Sequence, residues 1–413
     1  MPCVRRGKLR VLYCCYRRLY CNGHVHLSSG SVTYLMPELA RHFAALSLLA
    51  PVVRGTDGGG TRLSPCDRLR VVPVHGFRAR WAHLLSGDLW SIRALRQFVG
   101  MQRRVDVLVM CVPSAMYYSA FMAFVRKPLV AVVSGDEQGL MRRSTHLLMR
   151  VACGFGVRMA KRMVEQRLLR RASAIVCRNE QLADRCRRTV GYAVPIHIIT
   201  SGIDTEVFLP CAGEERSGMR RSLGLDGAAP IVGFVATSLS DEKGAHVMRR
   251  AFARVREVLP SAQLLVVGED RGILCDDEGV VHCGWVSHDD LPPYYGSMDV
   301  FACPSLSEGA PKVVMEACAS GVPVVASRVG AIQEWFESGQ NGHCGPSGQC
   351  GLAVDAGDSE AMANACLSLL SDANLRACIG ANARTLAISR FDYRTCAAQL
   401  ADVLRTVACG GPQ

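Results

Sequence analysis

The chain has 413 residues, 49% hydrophobic and 20% charged, which excludes a disordered polymer and suits two α/β domains of about 200 residues each. Its 48 Lys and Arg against 36 Asp and Glu leave a formal net charge of +12, an excess that attracts phosphates, nucleic acid or anionic lipid but does not determine a fold. The 20 cysteines are scattered from Cys3 to Cys409 without a CxxC pair. Zinc-ribbon spacing is thereby excluded, and reduced, buried thiols in a cytoplasmic protein are expected.

The N-terminus, MPCVRRGKLRVLYCC, is basic and then apolar, but the run stops at Arg17 and Arg18, too short and too charged for a signal peptide. From there short β-branched runs alternate with helical stretches. Strands are predicted at Leu9–Cys15, Leu46–Val53, Leu69–Val74, Val105–Val112, Leu129–Val133, Ala174–Cys177 and Ile196–Ile199, with helices at Val32–Ala45 and Leu89–Met101. The uncharged run Val107–Val125 is long enough to span a bilayer, yet Pro113 divides it. A buried strand feeding a helix from Ser114 to Phe124 accounts for it better, because strands of parallel sheets read as near-continuous apolar runs.

Ser201–Pro210, SGIDTEVFLP, carries Gly, Asp and Pro as punctuation and reads as a crossover between domains. Beyond it, strands are predicted at Ile231–Val235, Leu264–Val267, Gly279–His282, Val300–Cys303 and Val322–Ala326. Helices are predicted at Gly244–Val258, Asp290–Gly296, Lys312–Ser320, Ser359–Leu370, Asn374–Ile388 and Phe391–Val407. This alternation marks doubly wound parallel sheets, whose ligands sit at the carboxyl ends of strands.

The strand-to-helix loop most suited to chemistry lies in FACPSLSEGAPKVVMEACASGVPVV, residues 301–325. A strand ends at Pro304, Glu308 and Gly309 follow in a short loop, and Pro311 stands where a first helical residue is expected. Backbone N–H groups at Gly309, Ala310, Lys312 and Val313 would then face outward from a helix N-terminus, a natural anion site. Glu316, eight residues after Glu308, adds a second carboxylate that suits the other end of an extended ligand. The residues alone equally allow an acid favouring the helix dipole and a solvated Glu.

The segment SEGAPKVVMEACASGVPVVAS resembles the donor-site signature of the retaining glycosyltransferases of group 1, which have the GT-B fold. SGIDTEVFLP, DEKGAHVMRRAFARV, LLVVGED and LPPYYGSMDVFACPS resemble further motifs of that family in the same order, and the likeness is strong over residues 201–358. The resemblance implies two Rossmann-like parallel-sheet domains with an interdomain cleft: an acceptor-side domain over 1–205, a nucleotide-sugar-binding domain over 206–388, and a helix and tail over 389–413 returning toward the first domain. It implies transfer of a sugar from a nucleotide-sugar donor to a saccharide or lipid-linked acceptor with retention, in surface polysaccharide or glycolipid synthesis. Neither a metal nor any cofactor besides the donor is implied. Lys243 would contact the donor diphosphate and Glu308 the sugar. Glu316 would hold the ribose, and Gly309, Ala310, Pro311, Lys312 and Val313 would cradle phosphate or sugar. A solvated Lys243 capping an ordinary helix is the alternative.

The chain departs from the pattern in three places. The family's G-R-L before the lysine reads Thr237-Ser238-Leu239, so its Arg is replaced by Ser238. Where the family often carries His after a strand of the first domain, VAVVSGDEQG places Ser134, Gly135 and Asp136; Asp136 is a candidate catalytic residue near the acceptor or else a loop or capping acid. Ser28-Ser29-Gly30-Ser31 replaces the family's G-G loop. These departures keep open a non-catalytic protein that binds sugar nucleotide, with a GT-B epimerase or phosphorylase as the other rival.

One stretch bears on location. Residues 142–171 hold nine Lys and Arg, including Arg158, Lys161, Arg162 and Arg167, against Glu165 as the one acid, interleaved with Leu, Val, Phe and Met. A basic amphipathic element of this kind suits docking on anionic lipid at the inner face of the cell membrane, or else is a solvated basic face over a core stripe. No nucleic-acid-binding motif accompanies the charge.

Overall fold

The computed structural model describes residues 9–15, 19–22, 25–28, 32–50, 52–54, 61–64, 66–73, 96–112, 125–134, 154–269, 272–274, 277–337 and 348–410. The chain divides into two compact units, Met1–Ser201 with Cys396–Gln413, and Gly202–Thr395.

In the first unit the strands are β1 (Arg10–Cys14), β2 (Leu19–Asn22), β3 (Val25–Ser28), β4 (Ala45–Ala50), β5 (Val52–Arg54), β6 (Thr61–Arg62), β7 (Leu69–Pro73), β8 (Val107–Val112), β9 (Leu129–Val133), β10 (Ala174–Cys177) and β11 (Ile196–Ile198). Its helices include α1 (Val32–Arg41), α2 (Gly154–Arg171) and α3 (Glu180–Val190). Seven parallel strands form the main sheet in the order β11-β10-β9-β8-β1-β4-β7. Every residue of β8 and β9 is buried because apolar clusters cover both faces of the sheet. The uncharged run from Val107 therefore begins as a core strand; its expected helix at Ser114–Phe124 lies outside the described residues. Among the described residues no helix is long and apolar enough to cross a membrane.

A small sheet, β5-β2-β3-β6, was not foreseen. Its strands are two to four residues long, too short for a period-2 pattern. The strand expected over Leu46–Val53 is in fact two, β4 and β5, in different sheets, and the residue between them is Pro51, which has no N–H for a ladder.

In the second unit β12 (Ile231–Ser238), β13 (Gln263–Glu269), β14 (Val280–His282), β15 (Val300–Cys303), β16 (Val324–Ser327) and β17 (Leu352–Val354) form one parallel sheet, β14-β13-β12-β15-β16-β17. Its helices are α4 (Gly213–Ser222), α5 (Ala245–Val258), α6 (Pro292–Ser297), α7 (Lys312–Ala319), α8 (Ile332–Glu337), α9 (Ser359–Ser371) and α10 (Ala373–Leu386). The entry to β15 is pinned by Asp299, whose carboxylate accepts from Arg216 at 2.7 Å, Arg220 at 2.8 Å and the Ile231 N–H at 2.8 Å. Burial by itself would raise the Asp299 pKa, but Arg216, the Ile231 N–H and Arg220 outweigh it and leave the group below its ordinary value.

The last helix, α11 (Tyr393–Ala408), starts in the second unit, and from Cys396 on it belongs to the first. Cys396, Ala397, Leu400 and Leu404 pack with Leu35, Leu39 and Phe43 in the first unit's core, so the expected return of the C-terminal helix is present. Fifteen of the described cysteines form no disulfide, nine of them buried. Cys350 departs from the fully reduced expectation: it is disulfide-bonded.

Candidate active site

The candidate site is assembled at the carboxyl ends of β12 and β15, neighbours in the sheet. After β12 the chain makes a short 3-10 turn, Asp241–Lys243, in which the Ser240 hydroxyl accepts the Lys243 N–H at 3.4 Å. Gly244 then adopts φ 74°, and a Cβ there would stand 2.0 Å from the Pro304 carbonyl oxygen. Only glycine combines that dihedral with that approach. The Leu306 N–H donates to the Glu242 carbonyl at 2.9 Å, so the loops after β12 and β15 are tied together on both sides of Lys243.

This tie brings two predicted residues into contact across 65 positions of sequence. Lys243 Nζ donates to Glu308 Oε1 at 2.5 Å, and the Ser305 hydroxyl donates to the same oxygen at 3.0 Å. The Glu308 loop rests on Gly330, at φ 56°, where a Cβ would lie 2.2 Å from the Glu308 carbonyl oxygen. The Ala331 N–H also holds the Gly309 carbonyl at 2.9 Å. A partly buried ammonium and carboxylate at fixed separation attract each other more strongly than an exposed pair and suit a polar, charged ligand.

Pro311 is the N-cap of α7 rather than its first helical residue, with φ −69° and ψ 119°. The shift of one residue arises because Pro311 stays extended while Lys312 takes up the helix. No side-chain hydrogen bond caps this end. Ala310 and Val313 pack against the core beneath the loop.

Glu316 lies one turn into α7 in surroundings unlike those of Glu308. Its side chain is 2% exposed. Tyr295 donates to Oε2 at 2.9 Å, and His288 Nε2 lies 3.0 Å from Oε1. A carboxylate oxygen only accepts, so the imidazole proton sits on Nε2. Burial, the Glu316 charge and the hydrogen bond to it push the Tyr295 phenol well above its ordinary pKa, which keeps it a donor. Phe208 packs edge-on against both partners, 5.4 Å from the His288 ring and 5.8 Å from Tyr295.

Ser238 ends β12 beside Glu269. Ser134 follows β9 and donates to the Val112 carbonyl through both N–H, at 3.1 Å, and hydroxyl, at 3.3 Å. Asp136, Gly135 and Ser29–Ser31 lie outside the described residues. Among the described residues no group of three or more His, Cys, Asp or Glu side chains could hold a metal. Sequence reasoning missed Ser305 and His288. A buried serine after a strand carries no signal of its own, and His288 stands out only as a histidine opening a helical segment.

Comparison with known proteins defines the class. The profile for glycosyltransferase family 4 matches residues 30–207, and that for glycosyl transferases group 1 matches residues 229–372. The chain thus carries a glycosyltransferase family 4 domain followed by a group 1 glycosyltransferase domain, and its two parallel-sheet domains are those of the GT-B fold. It is 29% identical over 266 residues to the D-inositol 3-phosphate glycosyltransferase of Corynebacterium urealyticum, covering 60% of each chain. It is 30% identical over 233 residues to the GDP-mannose-dependent alpha-(1-6)-phosphatidylinositol monomannoside mannosyltransferase of Mycolicibacterium smegmatis, covering 52% of this chain and 57% of that one. The match thus spans less than two thirds of either relative. Among solved structures, sucrose-phosphate synthase from Thermosynechococcus elongatus superposes with a TM-score of 0.68 at 18% identity, covering 98% of this chain and 100% of that one. Anabaena HepE in complex with UDP and glucose superposes with a TM-score of 0.67 at 18% identity, covering 96% and 100%.

Proposed function

We propose that this protein transfers a sugar from a nucleotide-sugar donor to an acceptor, with retention at the anomeric carbon. The observation that carries this reading is the contact between Lys243 and Glu308 at the carboxyl ends of adjacent parallel strands. In the proposed complex the Lys243 ammonium turns to the donor diphosphate and stabilises charge developing on the departing nucleotide. The α7 N-terminus adds backbone N–H groups and a favourable dipole beside the phosphates. Glu308, held through Oε1 by Ser305, accepts hydroxyls of the donor sugar and orients its reacting carbon. Glu316 takes the ribose hydroxyls. No metal or further cofactor is assigned a role. The direct test is release of nucleotide from UDP-, GDP- and ADP-sugars with saccharide and lipid-linked acceptors. Tight donor binding without release under any acceptor would convert the reading to a non-catalytic binding protein, the outcome that Ser238 in place of the family's Arg would favour.

A lipid-linked acceptor is the finer part of the proposal, supported by the phosphatidylinositol monomannoside named in a relative's activity and by the basic segment 142–171. Its described part, α2, exposes Arg162, Arg167 and Arg170 together with Met163. Docking at the cytoplasmic face of a membrane follows, with about 1 kcal/mol from each cation near an anionic surface. Changing Arg162, Arg167 and Arg170 together to Gln is expected to release the protein from anionic vesicles, and rising salt to weaken binding of the unchanged protein. Equal binding to neutral and anionic vesicles would remove the membrane from the proposal.

A further inference from the structure

Glu316 combines a charged group, near-complete burial and two fixed donors. Taking a carboxylate out of water is costly unless hydrogen bonds replace the lost solvation. Tyr295 and His288 supply one to each oxygen. The two donors differ in character. Tyr295 is buried within the apolar core and packs on Phe208 and Phe301, so its role in holding the fold is inseparable from its hydrogen bond. His288 is 25% exposed, in the turn after β14, and its ring meets the core edge-on at Phe208. Asp289 lies 3.8 Å from its Nδ1, beyond hydrogen-bond distance. With so little of Glu316 at the surface, what the carboxylate can reach depends on its orientation, and His288 fixes the orientation of Oε1.

We propose that His288 is a positioning residue that aims Glu316 at the ribose diol, so that the site selects ribonucleotides over 2′-deoxyribonucleotides. The proposal rests on the ribose role assigned to Glu316. A carboxylate held through one lone pair of each oxygen keeps the others for hydroxyl donors, and a diol of fixed geometry rewards a carboxylate that cannot rotate. When the 2′-hydroxyl is missing, the buried acceptor goes unmet, which is how a polar site rejects an analogue that lacks a hydroxyl.

The experiment titrates UDP, GDP and ADP into the full chain by calorimetry, then repeats the tightest of them as its 2′-deoxy counterpart. The unchanged protein is expected to prefer the ribonucleotide by at least about tenfold, and E316Q to lose most of that preference. H288F keeps a ring against Phe208 but deletes the donor; its preference should fall to about twofold or less. H288Q restores an N–H donor and should recover part of it. A merely structural role for His288 would weaken both nucleotides alike and leave their ratio unchanged. If H288F keeps the full preference while E316Q loses it, His288 does not position Glu316, although the ribose reading stands. If the unchanged protein shows no preference, or E316Q keeps it, Glu316 does not meet the ribose and the proposal falls with that reading. Should H288F not fold, H288A is read against the same ratios.

Discussion

The two parallel sheets follow the same architecture, yet their strand ends differ in kind. In the second unit the ends of β12 and β15 lead into Lys243 and Glu308, with His288 and Glu316 on neighbouring segments. In the first unit the described ends of β1, β8 and β10 carry Tyr13, Cys14, Cys15, Cys111 and Cys177, all buried. Cys111 donates its thiol to the Tyr13 oxygen at 3.5 Å. Burial, followed by the neighbouring Cys111, pushes Tyr13 and Cys14 well above their ordinary pKa values, which makes them packing groups rather than nucleophiles. A common fold therefore leaves the chemistry to the loops: in the second sheet Lys243 and Glu308 meet at strand ends, whereas in the first the cation after β10, Arg178, is buried and donates to the Ile199 and Thr200 carbonyls at 2.9 and 2.7 Å. The loops after β8 and β9, with Asp136, lie outside that comparison.

The largest effect should come from the charged pair. Glu308→Gln retains the shape of the side chain but weakens its charge-assisted hydrogen bonds, and kcat should fall about ten- to a thousandfold. Binding of bare nucleoside diphosphate, which has no sugar for Glu308 to touch, should hardly change. Loss of diphosphate affinity with kcat intact would place Glu308 on the nucleotide side and reverse the proposed donor orientation. Lys243→Ala should lower kcat/KM at least about tenfold through the lost contact to a leaving phosphate. An unchanged value in a folded variant would remove the lysine from the mechanism, and the contrast between the two sheets would lose its functional meaning.

Asp299 tests the scaffold beneath that pair. Asp299→Asn leaves the buried Arg220 without its counter-charge and is expected to cost about 3 kcal/mol at neutral pH. Because the folded Asp299 pKa is lowered, its contribution is complete above the unfolded value, near 4, and is lost as pH falls through the lower folded value. The difference between the two proteins in denaturant unfolding should shrink below about pH 4. A constant difference down to pH 2 would mean that the charge of Asp299 contributes nothing. The smallest effect concerns the thiols. Burial pushes Cys303 up to about 11 and Cys318 and Cys366 up to about 12, whereas Cys378 and Cys409 are exposed. A thiol reagent at pH 8 should label the exposed pair without loss of activity and reach Cys14, Cys111 and Cys303 only after denaturation. Rapid labelling of Cys14 or Cys111 in the folded protein would show that the first sheet's strand ends are open to chemistry.

Much of this was legible in the chain itself. Core strands such as Leu129–Val133, Ala174–Cys177 and Val300–Cys303 were read to the residue, because burial on both faces demands continuous apolar runs. The loop carrying Glu308 was legible because strand, glycine, proline and helix follow one another locally. Strands of two to four residues, in contrast, carry too few side chains to show a period. The π-helical turn at Ala387–Phe391, which separates α10 from α11, spans the Ser389–Arg390 break between the helices expected at Asn374–Ile388 and Phe391–Val407, where the pattern shows a break but not its geometry.

Amino-acid sequence by itself determined the two-domain parallel architecture and the segment on which the candidate site is built, since both depend on local periodicity and on residues close together in the chain. Tertiary structure alone decided that Lys243 and Glu308 touch, that Ser305 shares the same oxygen, and that Glu316 is an interior group clamped by His288 and Tyr295. The reason is physical. Adjacency of β12 and β15, separated by β13 and β14 in the chain, is a property of sheet order. The side on which a helical Glu falls, toward solvent or toward a phenol and an imidazole, is settled only when the helix packs.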